Sequence, residues 1–151
     1  MPRHSPRSRT VVITGASAGV GRAIAHRFAR AHDRIGLIAR DESALRDVQH
    51  ELQGMGAEAE WEAVDVADAA TLFLAAERLE QRLGKIDIWI NDAMETLFST
   101  VVDTDPEEFR RVTEVCYLGF VHGTMAALKS MRPRRSGRII QIGRASCRER
   151  V

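Results

Sequence analysis

The chain has 151 residues, 44% of them hydrophobic and 28% charged, which is enough for one domain with a core of its own. Its formal net charge is +1, and the ends bias even that: Arg3, Arg7, Arg9, Arg144, Arg148 and Arg150 against Glu149 leave residues 10–141 at about −4. Such a balance attracts no polyanion, so no nucleic acid and no membrane is implied as partner.

Residues 1–9 are basic, contain Pro2 and Pro6 and have no apolar segment, so they read as a disordered leader and not as a secretory signal. No apolar run approaches the roughly 20 residues that span a bilayer. Cys116 and Cys147 are far apart and lack metal-ligand spacing, which predicts reduced thiols in the cytoplasm.

Val11 to Thr14 predict a strand buried on both faces, as in the centre of a parallel sheet. A helix follows over about 19–31, with Ala23, Ile24, Phe28 and Ala31 at helical spacing. The second strand, Ile35 to Ala39, ends at Arg40. Asp41 opens a helix with Leu45, Val48 and Leu52 on one stripe, and Gly54 and Gly56 stop it. A third strand spans about 58–64 and ends at Asp65-Val66. Asp68 can cap a helix over 69–83, which Gly84 terminates.

Ile86 to Ile90 form the fourth strand, leading into Asn91-Asp92-Ala93-Met94. Asp105-Pro106-Glu107-Glu108 supplies a cap, a first-turn proline and an acidic first turn for one long helix to about Met131. Gly137 to Ile142 would be strand five. Strands alternating with helices imply right-handed βαβ units, hence an α/β fold with a doubly wound parallel sheet. Ligands of such sheets bind at the carboxyl ends of the strands.

The stretch Thr14-Gly15-Ala16-Ser17-Ala18-Gly19-Val20-Gly21 joins the first strand directly to the first helix. Gly15 allows a turn that a Cβ would resist. Gly19 and Gly21 let backbone N–H groups come close to an anion at the helix N-terminus. The spacing G-x-x-x-G-x-G differs from G-x-G-x-x-G, and Arg22-Ala23 stand where a P-loop needs Lys-Ser/Thr. This segment resembles the cofactor motif of the short-chain dehydrogenase/reductase family, and the resemblance runs over about residues 10–141. It implies a Rossmann-type sheet of about five strands in the order 3-2-1-4-5, incomplete relative to the family.

The resemblance assigns cofactor-binding roles to Gly15, Ser17, Ala18, Gly19, Val20, Gly21, Arg40, Asp65, Val66, Asn91 and Ala93. Arg40 lies about 20 residues past the glycine turn, where a Rossmann-type site meets the adenosine ribose. Ala39 offers no carboxylate there, and the Arg40 guanidinium can grip a phosphate, so NADP(H) is expected over NAD(H). Asp41 falls one residue late for the acidic role. Asp65 resembles the residue that bonds the adenine amino group, with the Val66 backbone beside it. Asn91-Asp92-Ala93-Met94 resembles the family's Asn-Asn-Ala-Gly. Met94 replaces a glycine whose place implies a left-handed backbone.

Val115-Cys116-Tyr117-Leu118-Gly119 resembles the segment with the family's active-site Asn. Cys116 takes that position, lacks an amide's paired donor and acceptor, and reads as a small buried hydrophobe. The family's catalytic Tyr-x-x-x-Lys is absent: Tyr117 is the only tyrosine, and Val121 stands four residues on. Arg144 occupies the position of the family's Ser. No catalytic residue and no metal ligand is therefore assigned.

Residues 142–151 match, residue for residue, one reading frame of a common short-read sequencing adapter. They are expected to be an artefactual tail on an NADP(H)-binding domain of residues 10–141. The resemblance implies a cytoplasmic, homo-oligomeric oxidoreductase acting on a small-molecule alcohol/carbonyl substrate, present here as an inactive fragment. A non-catalytic NADP(H)-binding module and an unfolded fragment are the alternatives.

Overall fold

A computed structural model describes residues 8–143. The leader's residues 1–7, and Arg144 to Val151 of the adapter-like run, lie outside them. Five strands form one parallel sheet in the order β3-β2-β1-β4-β5: β1 Thr10–Thr14, β2 Arg34–Ala39, β3 Ala59–Ala63, β4 Ile86–Asn91 and β5 Arg138–Gln141. The helices α1 Gly19–Ala29, α2 Glu42–Gly54, α3 Ala69–Leu83, α4 Pro106–Thr113 and α5 Gly119–Met131 connect them, with a π-helical turn, Glu114–Leu118, between α4 and α5.

Alternation along β1 assigns the two faces of the sheet. Val11 and Ile13 pack with Ala25, Ala29, Leu45, Val48 and Leu52 of α1 and α2, while Val12 packs with Leu72, Leu79, Leu83, Ala126 and Met131 of α3 and α5. Every β1 residue is buried, as a central strand between two helical layers must be. At the far edge β3 is shielded by charge. Arg78 and Arg82 of α3 hold Glu60 and Glu62, which blunts an open strand edge.

Caps fix three helix starts. The Asp41 carboxylate accepts from Ala44 N at 3.0 Å, that of Asp68 from Ala70 N and Thr71 N, and Asp105 forms a capping box with Glu108.

Three sequence expectations are corrected. In α1 the buried line is Gly21, Ala25 and Ala29, with Ile24 and Phe28 only partly buried, whereas Ala23 is exposed and Ala31 lies past the helix. Small residues face the sheet where the helix sits closest to it, a pattern that hydrophobic periodicity weighted by size does not favour. The stop of α2 is as expected: the helix ends at Gly54 and the chain turns at Met55 and Gly56, the latter at φ +81°. The long helix is interrupted by the π turn, which inserts an extra residue and buries Val115 between the unburied α4 and the packed α5. Met94 needs no left-handed backbone: among the described residues only His32 and Arg135 combine a side chain with positive φ.

Candidate functional site

A cleft of about 490 Å³ opens at the carboxyl ends of β1 to β4. Gly15 and Ser17 line it after β1, Ala39 to Asp41 after β2, Val64 to Val66 after β3, and Ala93 and Met94 after β4; Arg111 and Val115 close it from the helical side.

Gly15 stands at φ +71°, and an added Cβ would come within 2.8 Å of the Ala93 backbone. The Thr14 hydroxyl fixes that approach, accepting from Asp92 N at 3.1 Å and Ala93 N at 3.2 Å. The β1 and β4 ends are thus joined beneath the cleft. A Cβ on Gly21 would collide with the Gly15 carbonyl oxygen, so Gly21 serves the packing of α1 against the turn, whereas Gly19, at φ +55°, faces open space. Ala18 caps α1 with no side-chain hydrogen bond, and its first turn holds no acidic residue. Ala18, Gly19 and Val20 are exposed. Unlike α2, α3 and α4, this helix keeps its first-turn donors and its positive end for an outside anion.

Arg40 projects from the end of β2 and pairs with Glu95, Nη2 to Oε2 at 3.1 Å. Asp41, its neighbour, has Oδ1 engaged as the α2 cap. Asp65 accepts from Ala67 N at 2.9 Å and from Arg111 Nη2 at 2.6 Å. Burial pushes the Asp65 carboxyl up, but the Ala67 N–H, the Arg111 guanidinium and the more distant Arg40 charge outweigh it and hold it below the usual carboxylate range. A carboxylate lowered in the folded state stabilises fully above its unfolded pKa of about 4, and that stability is lost as pH falls through the lower folded value. Arg111→Met should therefore cost under about 1 kcal/mol near neutral pH, since both side chains are about one-third exposed. The difference should shrink in acid unfolding below pH 4; a gap that persists in acid would mean that Arg111 acts through packing alone.

The structure brings Gly15, Ser17, Arg40, Asp65, Val66 and Ala93 to one cleft, with the exposed α1 start carrying Ala18, Gly19 and Val20 beside it. It leaves the Asn91 side chain outside. Asn91 is fully buried; its Oδ1 accepts from Trp89 Nε1 at 2.8 Å, and its Nδ2 donates to Gln141 Oε1 at 2.9 Å and Phe120 O at 3.3 Å. It ties β4 to β5 and α5. The Val66 carbonyl accepts from His122 Nδ1 at 2.9 Å.

Cys116 also departs from its expected part. It is half-buried, and its Sγ accepts from Glu95 N and donates to Glu95 O, both at 3.3 Å. The thiol therefore supplies a weak donor and acceptor pair to one backbone residue. Arg111 and Glu95 were not singled out by sequence, because their partners lie 46 and 55 residues away.

A family model described as short chain dehydrogenase matches residues 9–151. The mouse (Mus musculus) dehydrogenase/reductase SDR family member 7B is 36% identical over 140 residues, covering 90% of this chain and 43% of that protein. Among solved structures, an actinorhodin polyketide ketoreductase with NADPH is 29% identical with a TM-score of 0.86, covering 90% of this chain and 53% of the other. A 7α-hydroxysteroid dehydrogenase complexed with NADH and 7-oxo glycochenodeoxycholic acid is 27% identical with a TM-score of 0.87, covering 95% and 56%. The chain spans about half the length of each of these proteins.

Proposed function

We propose, because this chain belongs to the short-chain dehydrogenase/reductase family, that residues 10–141 are the NADP(H)-binding part of an oxidoreductase that interconverts an alcohol and a carbonyl compound. The observation that carries this reading is the uncapped α1 N-terminus beside a cleft whose β2 wall presents Arg40, with its neighbour Asp41 engaged as the α2 cap. The cleft fits a dinucleotide: with no Cβ at Gly15 the end of β4 closes on the β1 turn to form its floor, and the space beyond Gly19 is open.

On this reading the first-turn N–H groups of α1 and the Ser17 hydroxyl receive the pyrophosphate. Asp65 and the Val66 backbone face the adenine, and Ala93 lies against the ribose side. Arg40 receives a 2′-phosphate bidentately. When bound, the nicotinamide supplies or accepts the hydride. One solved relative carries NADPH and the other NADH, so the choice rests on the end of β2 in this chain. Asp41, committed through Oδ1 to the α2 cap, favours the phosphate reading.

Tyr117, Val121, Met125 and Leu128 expose one apolar face of the π turn and α5, which supports a homo-oligomeric whole protein. No helix among the described residues is long and apolar enough to cross a membrane.

NADPH is expected to bind more tightly than NADH, and Arg40→Asp should reverse or flatten the difference, by about one to two orders of magnitude for NADPH. Fluorescence titration of both dinucleotides measures this. NADH binding as well as NADPH in the unmutated protein would refute the assignment of Arg40.

A further inference from the structure

Arg40 lines the cleft, and Glu95, the residue after the lining Met94, meets it from the β4 side. Arg40 follows β2 and Glu95 follows β4, while β1 and its glycine turn lie between them in the sheet. Two strand spacings, about 10 Å, separate those strand ends, and the guanidinium and carboxylate close the gap to 3.1 Å. Glu95 is held at its backbone as well, where the Cys116 thiol of the π turn bonds both its N–H and its carbonyl. The side chain is therefore aimed from a fixed point. A dinucleotide that runs from the β2 end to the β4 end over Gly15 must cross the line of this pair.

We propose that the Arg40–Glu95 pair is a latch over the dinucleotide cleft and that Glu95 is a determinant of cofactor affinity. This rests on the cleft being the dinucleotide site. Either dinucleotide opens the latch in order to bind, and only NADP(H) returns an anion, its 2′-phosphate, to Arg40. Glu95 thus lowers the affinity for both cofactors by the same factor, and Arg40 alone sets the ratio between them. Arg40 and Glu95 are 59% and 31% exposed, so the latch is weak, and opening it should change affinity by about two- to fivefold.

Four chains decide the matter: the unmutated protein, Glu95→Gln, Arg40→Ala and the double variant, each checked for an unchanged melt and titrated with NADPH and NADH. Glu95→Gln is expected to tighten both dinucleotides by about two- to fivefold with their ratio unchanged. Arg40→Ala should tighten NADH by the same factor while weakening NADPH, and adding Glu95→Gln to it should change nothing, because the latch is already open. Glu95→Gln that leaves NADH binding unaltered, or that tightens NADH equally without Arg40, overturns the latch and leaves the cleft assignment standing. Arg40→Ala that tightens both dinucleotides alike supports the latch and refutes the 2′-phosphate role of Arg40. Four folded chains that bind neither dinucleotide overturn the latch and the cleft assignment together.

Discussion

Gly123→Ala is expected to destabilise the protein by about 2–4 kcal/mol, a large loss for the addition of one methyl group. The new Cβ would land on Asn91 Oδ1 and within 2.8 Å of Trp89 Nε1, two fully buried atoms already bonded to each other. Neither partner can withdraw cheaply. Moving Asn91 breaks its bonds to Gln141 and Phe120, and moving Trp89 opens the packing against α3 and α5. Gly54→Ala is the control: that glycine is exposed, lies in α2 and has nothing within 4 Å of the new Cβ, so helix propensity should give a gain of about 0.5 kcal/mol. Urea unfolding of both variants with matched m-values separates the effects. A Gly123→Ala midpoint equal to that of the unmutated protein would mean that the Asn91 network is loose.

The glycine that governs this network was open to discovery in the sequence, since an isolated glycine within a helix signals close approach. What it approaches was not. Asn91 was placed at the cofactor by the resemblance of its segment, yet its side chain is bonded to Trp89, Phe120 and Gln141 at the end of β4, while Ala93, beyond the strand end, reaches the cleft. The glycine turn and the Asp41, Asp68 and Asp105 caps were legible because each depends on residues adjacent in sequence, the parallel sheet because strands alternate with helices, and the strand order through the family resemblance. The Arg111–Asp65 and Arg40–Glu95 pairs were not, since a pairing across 46 or 55 residues leaves no local trace. The π turn also escaped, because a one-residue slip in helical phase within a mixed polar segment resembles ordinary scatter in the apolar spacing.

The second large effect concerns rate. The 151-residue chain is expected to bind a dinucleotide without oxidising an alcohol or reducing a carbonyl above background. The sequence contains no Tyr-x-x-x-Lys, and a positioned general acid is worth about 10²–10⁴ in rate by itself. Tyr117 is 64% exposed on the outer side of the π turn, with Val121 where a lysine would be needed. His122 is tied by Nδ1 to the Val66 carbonyl, and Cys116 to the Glu95 backbone. Of these three, Tyr117 does not line the cleft, and His122 and Cys116 already have structural partners. Absorbance at the nicotinamide band over a panel of simple alcohols and ketones tests this. Turnover in a pure sample that Cys116→Ala or His122→Ala abolishes would overturn it.

The position of β1 at the centre of the sheet has a consequence in time. Its residues precede both of the strands that flank it, β2 and β4, which end at Ala39 and Asn91. At cellular rates of synthesis, roughly 3–10 s pass between the appearance of one neighbour and that of the other. Throughout that interval the nascent chain carries Val11, Val12 and Ile13 on a strand with one open edge, and α5, which completes with α3 the cover over Val12, follows only after Asn91. The residues that make the most secure strand of the finished sheet are therefore the ones most in need of shelter while the protein is being born.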